Sequence, residues 1–162
     1  MSNAIGRFGA SLRRALSGKV SRKAGLSKAG SASPTACREP GRVTIEYSPD
    51  IDGDADPGEV VWTWVPYEDD PSQGKDRPVV IIGWAGAALA GVPLTSKNHH
   101  RGDEVAVGTG AWDRSGRPSF AKVDQLLTID AKAVRREGSA LSRSHFDEVV
   151  DAVARYHDVL GR

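Results

Sequence analysis

The feature that most constrains the fold is a succession of short apolar, β-branched segments with polar turns between them. They span residues 59–65, 77–83, 88–95, 104–108, 120–124 and 126–129. The connecting stretches carry Gly, Pro, Asp and Ser, which are turn residues. Short strands at close spacing, with no helices between them, favour a small barrel over an alternating βαβ layout.

The C-terminal segment changes period and predicts one helix. Apolar side chains recur there at helical spacing, at Phe146, Val149, Val150, Val153, His157 and Leu160. Ser144 with Asp147 makes a capping pair, and Gly161 stands where the helix would end. The predicted fold is mainly β with a C-terminal helix over one face. We expect the core to contain Val60 or Val61, Val80, Ile82, Val107, Val123, Ile129, Phe146, Val150 and Val153.

The N-terminal third differs from the rest in composition and charge. Residues 1–42 hold nine Lys/Arg and one acidic residue, whereas residues 43–162 hold 13 Lys/Arg and 20 Asp/Glu, a formal charge of −7. Gly, Ser and then Asp dominate up to residue 56, which predicts a disordered basic arm over 1–56 and a barrel domain over 57–162. Such an arm is either simply solvated or contacts nucleic acid or an anionic membrane surface.

Composition also narrows the class of protein. The single Cys37 excludes an internal disulfide framework and a multi-Cys metal site. The four His residues do not form a metal-binding pattern, and we expect no metal or other cofactor. No apolar run approaches the ~20 residues that span a bilayer, and the N-terminus lacks the pattern of a secretory signal. We therefore expect a cytoplasmic protein.

Two polar residues stand at the ends of apolar strands. Arg77 precedes Pro78 at the start of the second strand, and Thr95 ends the third. A planar guanidinium can bind a phosphate through two parallel hydrogen bonds, and a hydroxyl can add another. The alternative is a surface Arg and an ordinary polar turn, which the two residues by themselves do not exclude.

Four motifs occur in a fixed order. They are Pro57–Trp62 (PGEVVW), Gln73-Gly74 before Arg77-Pro78, Pro93-Leu94-Thr95, and Asp124–Asp130 (DQLLTID). In this order and at this spacing, residues 57–160 resemble the PemK/MazF family of toxins. The resemblance implies a small SH3-like barrel of the CcdB/PemK/MazF type, usually a homodimer. It also implies a toxin of a type II toxin–antitoxin system that cuts single-stranded RNA sequence-selectively without metal, with an antitoxin protein as a candidate partner.

The resemblance also assigns roles to residues. Arg77 and Thr95 become the catalytic pair, in which Arg77 stabilises charge and Thr95 contacts the scissile phosphate. His99 and His100 are candidates for proton transfer, because imidazole titrates near neutrality. The residues expected to contact RNA are Gln73, Gly74, Lys75, Ser96, Lys97, Trp112 and Gln125.

The chain departs from the family pattern at two places. Leu127 stands where the family typically has an Arg, and Asp69, Asp70 and Asp76 lie in or next to the loop expected to meet RNA. These differences leave open a non-catalytic nucleic-acid- or protein-binding module on the same fold, or a gyrase inhibitor of the CcdB type. A groove that holds Arg77 and Thr95 together favours the enzyme, and a groove blocked by the aspartates favours the binding module.

Overall fold

The computed structural model describes residues 36–38, 41–50 and 52–161, with the backbone alone for 36–38 and 136–138. Its elements, in chain order, are β1 (Ala36–Arg38), β2 (Val43–Ile45), β3 (Glu59–Pro66), β4 (Gly74–Ala85), β5 (Ala88–Thr95), β6 (Glu104–Gly108), β7 (Ser119–Lys122), β8 (Leu127–Ile129), a 3₁₀ helix (Ala131–Ala133), β9 (Arg135–Ala140), α1 (Arg143–Val153) and β10 (Val159–Leu160). The mainly β architecture with one C-terminal helix confirms the predicted fold class. In this part of the chain, no helix is long and apolar enough to cross a membrane.

The sheet curls because its central strands change partners along their length. β4 pairs antiparallel with β3 and with β5. β5 then pairs with β8 through Leu89–Gly91 and with β7 through Leu94 and Thr95. Because β5 pairs with β8 along one part of its length and with β7 at its end, the sheet bends into the half-barrel typical of small SH3-like folds.

Alternation along β4 divides the apolar side chains between two clusters. Val80 and Ile82 join the cluster that the helix covers, and Val79 and Ile81 join the cluster on the opposite face. Helix α1 adds Phe146 and Val150 to the first cluster. Every residue predicted for the core is buried, and Val60 and Val61 are both buried, one in each cluster. Burying a side chain of this size stabilises the folded state by ~1.5–3 kcal/mol. The alternation of apolar residues along the strands therefore determines which side of each strand faces which cluster.

The helix is shorter than predicted, and its cap differs. Its N-cap is Ser142, not Ser144, and the Ser142 hydroxyl accepts a hydrogen bond from the backbone N–H of His145. The helix ends at Val153, so the prediction that it continues to Leu160 is wrong. Leu160 instead belongs to β10, which pairs parallel with β2. The extended pairing with β2 replaces the helical hydrogen bonds that the last turns would have made.

The structure also differs from the predicted arm over 1–56. β1 pairs with β8, and β2 pairs with both β4 and β10. Val43 of β2 is fully buried, which a disordered arm does not allow. The sheet therefore begins before residue 57. Residues 1–35 of the predicted arm lie outside the described residues, and a domain boundary ahead of β1 is a proposal.

Candidate functional site

A groove of about 460 Å³ opens beside the N-terminal half of β4 and the C-terminal end of β5. Strands and the loops after them supply its walls. The lining residues are Trp62, Lys75, Asp76, Arg77, Pro78, Leu94, Thr95, Ser96, Lys97, His99, Asp113, Arg117, Ser119 and Lys122. The wall is mostly polar, and it combines an indole, hydroxyls, an imidazole and several cations.

Arg77 and Thr95 lie together in this groove. Val79 of β4 pairs with Pro93 of β5, and Arg77 and Thr95 each lie two residues beyond that pair on their own strands. Both residues line the groove. Both side chains are half-buried. The structure thus places the two residues at one site, as the sequence predicts, while their catalytic roles stay a prediction.

The loop after β5 fixes the Thr95 hydroxyl. The backbone N–H of Lys97 donates a hydrogen bond to Thr95 Oγ1 over 3.2 Å. The oxygen is therefore an acceptor within the protein, and its proton is available for a ligand in the groove. Ser96 and Lys97, the next two residues, line the same groove. The turn after β5 thus presents a hydroxyl donor and an ammonium group side by side.

Three cations lie close together on one wall. The nearby charge of Arg77 lowers the pKa of Lys75, and burial and the charge of Lys97 lower it further. Like charges held close together are unfavourable unless an anion offsets them. Perturbed pKa values of this kind are typical of functional sites. The wall formed by Lys75, Arg77 and Lys97 therefore has the electrostatics of an anion-binding site, although residues 43–162 are acidic as a whole.

The carboxylates at the groove are paired with cations. Asp76 accepts a hydrogen bond from Arg135 Nη1 over 3.0 Å. Asp113 accepts from the Ser115 backbone N–H over 2.8 Å and from Arg117 Nε over 2.9 Å. The backbone hydrogen bond of Ser115 is the largest influence on the pKa of Asp113, burial opposes it, the Arg117 pairing adds to it, and the net direction is down. Neither carboxylate stands as an isolated negative charge against a phosphate.

The other two aspartates of the preceding loop do not line the groove. Asp70 holds the loop together, because it accepts hydrogen bonds from the Ser72 hydroxyl, the Ser72 N–H and the Gln73 amide. Those hydrogen bonds, led by that of the Ser72 hydroxyl, lower the pKa of Asp70. Asp69 is exposed. Asp69 and Asp70 therefore do not block the groove. A blocked groove would favour a non-catalytic binding module, and these two residues do not provide one.

The two candidate histidines have different surroundings. His99 lines the groove, and its Nδ1 lies 2.6 Å from Glu104 Oε1. His100 does not line the groove, and its backbone N–H donates to Asn98 Oδ1 over 2.8 Å. Of the pair, only His99 is positioned to act on a ligand bound beside Arg77 and Thr95.

Two predicted RNA contacts are core residues. Trp112 is only 4% exposed, and its indole N–H donates to Ser119 Oγ over 3.0 Å, so it packs in the core and does not line the groove as an RNA contact there would require. Gln125 is 7% exposed, and its amide donates to Glu68 Oε1. Trp62 is the indole that lines the groove, and its N–H donates to the Trp112 carbonyl over 3.1 Å.

Gln73 and Gly74 also lie outside the groove lining. The Gln73 amide donates to Asp70 Oδ2 over 2.7 Å, within its own loop. A Cβ at Gly74 would approach the Val65 carbonyl oxygen to 2.4 Å, so the glycine allows close contact between β3 and β4. Both residues shape the start of β4, the strand that carries Lys75 and Arg77.

Sequence reasoning missed several groove residues. Arg117, Ser119 and Lys122 come from the loop before β7 and from β7 itself. In the sequence these residues show only two cations on either side of a short apolar segment. That pattern is common on protein surfaces and does not point to a site. Tertiary structure brings them to the site, since β7 pairs with the end of β5 that carries Thr95. Among the described residues, no group of three or more His, Cys, Asp or Glu is arranged to hold a metal ion.

Comparison with known proteins assigns the class. The family model of PemK-like, MazF-like toxins of type II toxin–antitoxin systems matches residues 56–157. The chain belongs to the PemK/MazF toxin family, which confirms the resemblance seen in its motifs.

Solved structures of MazF proteins are among the similar folds. MazF from Deinococcus radiodurans is 18% identical over 64% of this chain and 96% of its own, with a TM-score of 0.49. A MazE–MazF structure from the same organism is 18% identical over 62% and 94%, with a TM-score of 0.47. The Mycobacterium tuberculosis toxin MazF-mt6 is 18% identical over 64% and 100%, with a TM-score of 0.45. No curated protein sequence matches the chain.

Proposed function

We propose that this protein is an endoribonuclease toxin that cuts single-stranded RNA sequence-selectively at the groove beside Arg77 and Thr95. The observation that carries the proposal is that these two residues line one groove, with Lys75 and Lys97 on the same wall. This combination suits the phosphodiester of a nucleic acid, since it offers a guanidinium, a hydroxyl donor and two ammonium groups.

RNA carries its own nucleophile, so the protein need not supply one. The 2′-oxygen attacks the adjacent phosphorus, the bond to the 5′-oxygen breaks, and the products are a cyclic phosphate and a free 5′-hydroxyl. Arg77 neutralises the charge that builds up on the phosphate, and the Thr95 hydroxyl donates a hydrogen bond to a phosphate oxygen. Preorganised donors of this kind supply positive charge without a bound metal ion, and we propose metal-independent cleavage.

We assign base stacking to Trp62, the tryptophan that lines the groove. Its indole is partly exposed at the groove, and its N–H is held by the Trp112 carbonyl. Stacking a base on an aromatic side chain contributes ~1–3 kcal/mol and requires an unpaired base. This placement supports single-stranded RNA as the substrate.

The remaining partners follow from the family rather than from the groove. MazE–MazF structures from Deinococcus radiodurans are complexes of two proteins. We propose an antitoxin of comparable role for this chain, a homodimeric toxin, and action on RNA in the cytoplasm. We also propose that the basic residues before β1 contact nucleic acid or an anionic membrane surface, because they carry the excess positive charge of the chain.

The test is the cleavage of mixed RNA by purified protein in EDTA. Removing one preorganised donor typically costs ~10²–10³ in rate, so Arg77→Ala should lose at least that much and Thr95→Ala somewhat less. Arg155→Ala is the matched control, because Arg155 is exposed and does not line the groove. Cleavage by Arg77→Ala at the rate of the parent would contradict the proposal. A parent that binds RNA without cutting it would favour the non-catalytic module.

A further inference from the structure

Glu104 holds His99 through two contacts. The His99 backbone N–H donates to Glu104 Oε2 over 2.7 Å, and Nδ1 of the ring lies 2.6 Å from Oε1. The Glu104 side chain is 4% exposed, whereas that of His99 is 43% exposed. The carboxylate is thus enclosed behind the imidazole, and the imidazole faces the groove.

This geometry fixes the tautomer of the ring. An ionised carboxylate only accepts hydrogen bonds, so Nδ1 must carry the proton that lies between the two groups. Burial would raise the pKa of Glu104, but the hydrogen bonds from His99 outweigh it and lower the pKa. Glu104 is therefore ionised near neutral pH. A neutral His99 then has its lone pair on Nε2, the atom remote from Glu104.

We propose that His99 is the general base of RNA cleavage and that Glu104 is its positioning residue. The proposal rests on the proposed function and adds the removal of the 2′-hydroxyl proton, which Arg77 cannot perform because a guanidinium keeps its own proton at neutral pH. Nε2 takes the proton of the 2′-hydroxyl as the bond from the 2′-oxygen to phosphorus forms. The bond from phosphorus to the 5′-oxygen breaks, and the 5′-oxygen takes a proton from solvent water. The hydroxide left behind neutralises the His99 imidazolium.

The surrounding charges suit this role. Five cations line the groove that His99 faces, at Lys75, Arg77, Lys97, Arg117 and Lys122. They place positive charge around a phosphate bound next to His99. Asp76 and Asp113, the carboxylates in the same wall, are paired with Arg135 and Arg117. Glu104 is the carboxylate in direct contact with His99, and it stabilises the imidazolium once the proton has moved.

The test compares His99→Gln, Glu104→Gln, Glu104→Asp and His100→Gln on one RNA oligonucleotide. General-base catalysis contributes ~10²–10⁴, so His99→Gln should lose that factor in kcat/KM. Replacing the carboxylate that holds the tautomer of a catalytic imidazole by an amide costs up to ~10⁴-fold in rate, so Glu104→Gln should lose a factor of up to that size. Glu104→Asp should recover part of that loss, because it restores a carboxylate. His100→Gln is the matched control and should cleave like the parent, because His100 does not line the groove.

The pH profile separates a proton-transfer role from a purely structural one. The parent should show a rising limb in kcat/KM as His99 loses its proton, and this limb should be absent in His99→Gln. In Glu104→Gln the pH at which this limb rises should change, because a neutral amide replaces the carboxylate that contacts Nδ1. Nitrogen-15 NMR of the free protein reports the tautomer of the His99 ring without RNA, and the parent should carry the proton on Nδ1.

The outcomes are distinct. If the parent cleaves RNA and His99→Gln cleaves equally well with the same pH profile, the base role is wrong and the proposed function stands. A proton found on Nε2 instead of Nδ1 in the neutral ring would also overturn it. If the parent does not cleave RNA, the proposed function fails and the base role fails with it.

Discussion

At the residue scale, the groove depends on cations that are held close to one another. Arg77 lowers the pKa of Lys75 by its charge, and Lys97 adds to the effect. The groove thus keeps a local positive potential on a chain whose residues 43–162 carry a formal charge of −7. A polyanion that enters the groove relieves this repulsion and gains hydrogen bonds at the same time.

The salt dependence of binding tests this account. A single-stranded DNA oligonucleotide lacks the 2′-hydroxyl and serves as a ligand that is bound without being cut. Each phosphate contact on a single strand contributes about −0.7 to the slope of log K against log salt, so Lys97→Ala should make that slope about 0.7 less steep. Lys132→Ala, an exposed residue of the 3₁₀ helix, should leave the slope unchanged. An identical slope in both variants would show that Lys97 does not contact the backbone of the ligand.

The contact between Glu104 and His99 predicts a pH dependence of stability. The pKa of Glu104 is lowered by folding, so its contribution to the free energy of unfolding is present above the unfolded pKa of about 4.3. That contribution is lost as the pH falls through the folded pKa. Glu104→Gln should therefore be less stable than the parent near neutral pH, and the gap should narrow in acid.

Urea unfolding of both proteins at about pH 7 and about pH 3 measures this gap. Glu148→Gln on the exposed side of α1 is the control, because Glu148 is exposed. A gap of the same size at both pH values would mean that the charge of Glu104 is not what stabilises the fold.

At the scale of elements, strands with a strong apolar pattern are predictable and weakly patterned ones are not. The bounds of β5 and β6 agree with the sequence prediction because both segments are flanked by clear turn residues. β9 was not predicted, since its sequence of Arg, Arg, Glu, Gly, Ser and Ala has no strand pattern. Pairing with the edge of β3 forms that strand instead. The weak strand propensity of this segment is overridden here because the edge of β3 offers hydrogen bonds.

The packing of β2 on β4 can be tested at one glycine. A Cβ at Gly83 would lie 1.9 Å from the Thr44 carbonyl oxygen, and backbone cannot move aside cheaply. Overpacking of this kind costs ~1–3 kcal/mol and sometimes more, so Gly83→Ala should lower the free energy of unfolding by at least that amount. Gly41→Ala is the matched control, because nothing lies within 4 Å of its added Cβ. Equal stability of the two variants in urea would show that β2 does not pack against β4.

At the scale of the whole molecule, the sequence predicts the site better than its surroundings. Arg77 and Thr95 were predictable because each is a polar residue next to an apolar strand segment. β4 begins at Gly74, however, so Arg77 lies within the strand and not at its start as the sequence predicts. Trp112 and Trp62 were not distinguishable, since burial of an indole depends on contacts that residue spacing does not encode. Leu127, where the family typically has an Arg, is fully buried in the second apolar cluster. It therefore belongs to the core and does not reach the groove.

Net charge is also a poor guide to the ligand, because the fold decides where the charged side chains lie. The carboxylates are spread over the barrel and the helix, whereas five cations line one groove: Lys75, Arg77, Lys97, Arg117 and Lys122. A ligand responds to the local potential, because exposed charges farther away than about 8 Å are largely screened at physiological salt. An acidic barrel can therefore present a site for a phosphodiester.

The central claim is that this groove cuts RNA through the 2′-hydroxyl of the substrate with Arg77 stabilising the charge. Mass spectrometry of the fragments of a defined RNA oligonucleotide, incubated in EDTA, tests it most directly. Cleavage through the 2′-hydroxyl should give fragments that end in a 2′,3′-cyclic phosphate and begin with a 5′-hydroxyl. Arg77→Ala should give these fragments at least ~10²-fold more slowly, and no fragment should form at a position whose nucleotide is 2′-deoxy. Fragments with 5′-phosphate ends, or the same fragments from Arg77→Ala at the rate of the parent, would contradict it.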